Sequence, residues 1–183
     1  MKIIISFLFI FIFSCDKKSR VKTYSISKNH VLPVKENKVS TNLINSFSWI
    51  TPKHWTEGKL SSMRLASYTI PFNGGTGDLS ITNFSGDGGG LLANVNRWRG
   101  QLNLSPYGLE NLESEMMTGN SGIGEFQIIK IINIENNLSA FLCAIYDIGG
   151  STIFIKMTSS VVGINELELE FKEFCSTLNY NDR

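Results

Sequence analysis

The chain has 183 residues, 42% of them hydrophobic and 11% aromatic, with 17 basic against 16 acidic side chains. A net charge of +1 offers no surplus of cations to neutralise phosphates, which excludes nucleic acid and an anionic membrane surface as main partners. His and Cys nowhere fall at metal-ligand spacing, so no metal and no other cofactor is expected.

The chain begins as a leader. Lys2 precedes a run of apolar residues from Ile3 to Phe13, and Ser14 and Cys15 follow. The run is too short to cross about 30 Å of hydrocarbon and no second span follows, so residues 1–14 read as a secretion signal. "IFSC", residues 12–15, resembles a bacterial lipobox, with an aliphatic residue three before the cysteine and a small one directly before it. The resemblance implies a diacylglyceryl group on the Cys15 thiol and room for a third acyl chain on its amine. Two or three chains anchor a protein stably where one does not. The expected address is the cell membrane or outer membrane, with the folded body outside the cytoplasm. Removing Lys2 with the leader brings the seventeen basic residues to sixteen, level with the acidic ones.

Residues 15–45 are rich in Lys, Ser and Asn without a sustained period, which reads as a flexible tether. Residues 46–183 have the length of one domain that buries its own core, and they contain no internal repeat. "FSWITPKHW" opens the domain with a strand entry and a turn; Trp49 reads as core and Trp55 as partly exposed. Segments 61–71 and 78–86 alternate as a strand hairpin requires, with Pro71 and "NGGTGD" ending the first strand. Residues 91–102 follow helical spacing through Leu91, Val95, Trp98 and Leu102. A second short helix is predicted from Ser105, with Pro106 at its first position, to Gly119. Three strands follow at 125–135, 139–149 and 151–160, joined by "NN" and "GG" turns. Leu167, Phe171, Phe174 and Leu178 predict a long C-terminal helix over 163–178. Cys143 falls in an apolar strand and Cys175 on an apolar helix face, which favours two buried thiols over the disulfide that an oxidising compartment would permit. The class expected is α+β, a twisted antiparallel sheet covered by helices.

That order of elements, with its aromatic terminal helix, resembles the PsbP-like fold shared with the nuclear-transport protein Mog. The segments "MRLASY", "GGLLANVNRWRGQ", "FIKMTSSV" and "FKEFCSTL" resemble an uncharacterised family of bacterial secreted proteins and lipoproteins. Both resemblances imply boundaries and fold, and neither implies an activity.

The chemistry that remains sits in residues 84–101. "SGDGGG" lacks the Lys-Ser or Lys-Thr of a phosphate loop and the strand-helix-strand setting of a dinucleotide fingerprint. Gly88, Gly89 and Gly90 offer backbone N–H groups at a helix start, with Arg97 and Arg99 adding charge; the same glycines also serve a sharp turn. Asn94, Arg97 and Gln101 share a helix face, suited to a carboxylate, a sugar or a peptide backbone, or to pinning the helix to its own loops. His30 falls in the tether and His54 in a turn, neither with an evident partner. No nucleophile elbow is present. The leading expectation is a non-enzymatic, membrane-anchored envelope protein that binds a protein or a small ligand at Gly88–Gln101. The alternatives are a hydrolase or transferase with a site assembled from Ser61, Arg64 and Asp87, and a scaffold subunit marked by an exposed apolar patch.

Overall fold

Alternating apolar and polar residues decide the first large element, and the structure builds it as a hairpin. The structure is a computed structural model that describes residues 46–136 and 138–181; the leader, Cys15 and the tether with His30 lie outside the described residues. Two short strands, β1 (Phe47–Ser48) and β2 (Thr56–Glu57), precede β3 (Arg64–Phe72) and β4 (Gly75–Ser85). The hairpin turn is tighter than expected. β3 continues through Pro71 to Phe72, leaving Asn73 and Gly74 between the strands, with Gly74 at φ +102°. Proline is tolerated there because β2 pairs only with Tyr68 and Thr69, so this part of β3 is an open edge.

Next come α1 (Leu91–Gln101) and α2 (Leu109–Glu115), then β5 (Met117–Ser121), β6 (Gly124–Ile132), β7 (Ala140–Asp147) and β8 (Ser151–Ser159). α3 (Val161–Ser176) and β9 (Asn179–Tyr180) close the chain. The second helix is shorter than the sequence suggested at both ends. Asn96 accepts a hydrogen bond from Tyr107 N (2.7 Å) and donates one to Tyr107 O (3.1 Å), while Arg99 Nε donates to Ser105 O at 2.7 Å. These bonds occupy the backbone around Ser105 and Pro106, and the helix starts only after Gly108. Gly119 is not a helix stop but a strand position paired with Phe126, whose ring lies where a Cβ would stand. β5 was thus hidden inside a helix-like pattern. Where the "NN" turn was expected, β6 ends early at Ile132 and β7 begins at Ala140, because Asn133 leaves the ladder to donate to Leu102 O at 2.8 Å.

The seven-stranded sheet has the order β2-β3-β4-β8-β7-β6-β5, every neighbour antiparallel. β4 and β8 pair from Asp78↔Thr158 to Ser85↔Ser151, which joins the first hairpin to the late meander. β1 and β9 make a separate two-stranded ribbon. One sheet face carries Ile70, Leu79, Ile81, Leu142, Ile155 and Met157 against Ile164, Leu167, Phe171 and Phe174 of α3. The helix starts where Ser160 Oγ accepts from Gly163 N at 3.2 Å. On the other face, Ile129, Phe141, Cys143 and Phe154 pack with Val95 and Trp98 of α1 and Leu112 of α2.

Trp55 is buried rather than partly exposed. The turn closed by Trp55 N on Pro52 O (3.1 Å) folds the indole onto α3, where its ring centroid lies 4.6 Å from that of Phe174. Its Nε1 donates to Glu170 Oε1 at 2.7 Å, and His54, which had no evident partner in sequence, meets the same oxygen at 2.8 Å. Trp49 packs partly buried at the core's margin, donating to Tyr68 Oη at 2.7 Å. Cys143 and Cys175 are free and buried, as their apolar settings predicted. No helix among the described residues is long and apolar enough to cross a membrane.

Candidate functional site

A cleft of about 430 Å³ opens where α1 meets the sheet, within the size range of small-ligand sites. Its floor follows from strand register. Ile145 pairs with Gln127 on one side and Phe154 on the other, and Asp147 pairs with Thr152, so these side chains share the α1 face of the sheet. Glu125 extends the β6 edge, and Asp87, Gly90 and Leu91 form the wall.

Three glycines shape that wall. Gly88, Gly89 and Gly90 have φ of +62°, +91° and +83°, a region that side chains disfavour. A Cβ on Gly88 would stand 2.8 Å from the Phe154 ring. Gly89 N donates to Asp87 Oδ1 at 2.9 Å and Gly90 N to Asp87 O at 3.1 Å. The loop is tied to the β7–β8 turn by Gly86 N on Gly150 O (2.9 Å) and by Thr152 Oγ1, which donates to Gly86 O at 2.8 Å. Thr152 is only 3% exposed.

The polar helix residues serve the chain itself. Asn94, 3% exposed, donates through Nδ2 to Gly88 O (2.9 Å) and Gly90 O (2.8 Å), and its Oδ1 accepts from Arg97 Nη2 at 2.7 Å. Arg99 stacks on Tyr107, its Cζ 3.3 Å from the ring centroid. Gln101 Oε1 accepts from Lys156 Nζ at 2.8 Å. Of the residues singled out from sequence, Asp87 and Gly90 line the cleft; Gly88, Gly89, Asn94, Arg97, Arg99 and Gln101 do not.

Lys156 carries no signal in sequence beyond an apolar strand pattern interrupted by a charge. Its Nζ lies 3.5 Å from the Phe141 ring centroid and 5.9 Å from that of Trp98. Burial holds its pKa below the usual lysine value, and the guanidinium groups of Arg97 and Arg64 act in the same direction. Arg64 N donates to Ser61 O at 3.1 Å, but among the described residues no side-chain hydrogen bond or ion pair joins Ser61, Arg64 and Asp87. Arg64 donates to Ser67 Oγ (2.8 Å) and pairs with Asp78 (3.2 Å), while the Asp87 carboxylate accepts from Gly89. Among the described residues no three His, Cys, Asp or Glu side chains gather closely enough to hold a metal ion.

These features define an α+β domain: an antiparallel sheet between one long and two short helices, with a ligand-sized opening beside α1. No protein-family model matches the chain, and no curated protein is similar to it in sequence. Among solved structures it is similar to a protein from Bacteroides thetaiotaomicron VPI-5482, with a TM-score of 0.46 and 17% identity over 75% of this chain and 46% of that one. The chain therefore spans less than half the length of that protein. It is also similar to cyanobacterial PsbP (CyanoP) from Synechocystis sp. PCC 6803, with a TM-score of 0.49 and 10% identity over 78% of this chain and 89% of that one. Both are similarities of chain path, and the functional reading rests on the cleft.

Proposed function

We propose that this chain is a lipoprotein of the bacterial envelope, anchored through Cys15 and tethered by residues 15–45, whose domain binds a ligand or partner without transforming it. The observation that carries the binding role is the cleft of about 430 Å³, in which apolar Leu91, Ile145 and Phe154 stand among polar side chains. The hydrolase or transferase alternative has less support, because Arg64 and Asp87 are engaged with separate partners and no base among the described residues is hydrogen-bonded to the Ser61 hydroxyl. A scaffold role finds its support at the other end of the sheet, where exposed Leu60 flanks a groove of about 240 Å³ with Trp49, Leu65 and Tyr68.

A photo-crosslinking residue placed at Leu91 in living cells tests the main reading, with Asn165 on the exposed side of α3 as the control position. A defined adduct from position 91 but not 165 is the expected outcome, together with palmitate labelling that Cys15→Ser abolishes. Adducts from 165 alone would overturn the cleft as the binding site. Labelling that survives Cys15→Ser would overturn the anchor.

A further inference from the structure

We propose that the cleft takes a small organic cation, an amine with an apolar body, a step that rests on the cleft being the binding site. Three different elements bring carboxylates to one opening: Asp87 from the loop before α1, Glu125 from β6 and Asp147 from β7. The lining holds no lysine, arginine or histidine. None of the three carboxylates forms an ion pair among the described residues, and Glu125 has no side-chain hydrogen-bond partner among them either. Asp87 and Asp147 each use one oxygen, Oδ1, on a loop N–H, that of Gly89 (2.9 Å) and Gly149 (3.2 Å).

The cavity and its floor turn this charge into a shaped site. Phe154 and Ile145 lie side by side across β8 and β7, and Leu91 faces them from the first turn of α1. That surface suits hydrocarbon or a ring, and an aromatic face also favours a nearby cation. An anion is the obvious competitor, since the cleft abuts a helix N-terminus. An incoming anion would meet the Asp87 carboxylate, which accepts from Gly89 N just before that terminus, and two more carboxylates beside it. A bare metal ion is disfavoured differently: the carboxylates converge on the cavity, not on one another. An extended cation with one or two ammonium groups meets both conditions.

Amide NMR of the full chain in detergent tests this with phenethylamine and cadaverine against 2-phenylethanol, phenylacetate and Ca²⁺. The amines are expected to shift the Leu91, Ile145 and Thr152 amides, and the double variant Glu125→Gln/Asp147→Asn to raise their Kd about tenfold or more. Phenylacetate is expected to leave these amides in place. Binding of 2-phenylethanol or phenylacetate as tight as that of the amines would overturn the proposal, as would Ca²⁺ shifting the same amides at lower concentration. Failure of both amines would overturn it too. Each of these results leaves the crosslink from position 91 unaffected, so the class of ligand and the binding role fail separately.

Discussion

Gly88 combines two constraints at one residue. Its φ of +62° disfavours any side chain, and the missing Cβ leaves room for the Phe154 ring that floors the cleft. Gly89 has the first constraint without the second, since the nearest atom to its absent Cβ is Asn94 Nδ2 at 3.9 Å. Gly89→Ala is expected to cost about 1–2 kcal/mol from backbone strain. Gly88→Ala is expected to cost about 2–4 kcal/mol, because the ring must also move. Urea unfolding of the two variants checks the difference, and equal losses would mean that Phe154 yields without cost. The glycine run could be read from sequence as a turn. Which of its members touches the sheet could not, because that depends on an aromatic residue 66 positions later.

Two elements carry charges whose settings pull stability with pH in recognisable ways. On α3, Glu168 accepts from Lys130 Nζ of β6 at 2.5 Å and from Lys172 Nζ at 2.7 Å, and these bonds hold its carboxyl below the usual carboxylate value. The stability they contribute is present above the ordinary carboxyl pKa and is lost as pH falls through the lowered one. On β8, Lys156 is also depressed, by burial first. For a base this means that folding penalises the charged amine, and stability rises as pH climbs from the lowered value toward the ordinary lysine value. Glu168→Gln is therefore expected to flatten the acid side of a stability profile, and Lys156→Met the alkaline side. Thermal unfolding across pH checks both, and an unchanged slope on either side would remove that assignment.

At the level of the whole molecule, the β4–β8 ladder decides cooperativity. It joins the early hairpin to β8, which follows two helices, three strands and 65 intervening residues, and both sheet faces bury their cores against it. Ile155, with no exposed surface, sits in the centre of β8 between Ile81 and Ala144. Ile155→Ala is expected to cost about 2–5 kcal/mol in a single transition. Fluorescence should follow that transition alike on both faces, since Trp55 packs in one core and Trp98 in the other. Two separate transitions, one per hairpin half, would show that the ladder does not couple them.

Local pattern by itself determined the α+β class, the β3–β4 hairpin, α1 and the long α3, because periods of two and 3.6 residues report which side of an element is buried. Burial of Cys143 and Cys175 followed from the same patterns. Only the tertiary structure decided that Gly119 lies in a strand beneath Phe126, that Trp55 turns inward onto α3, and that Asn94 and Arg97 hold the chain's own loop. The cleft belongs with these. Its carboxylates come from positions 87, 125 and 147, and each is an ordinary polar residue in its own segment. They become one site only because antiparallel pairing sets β6, β7 and β8 side by side beneath the start of α1.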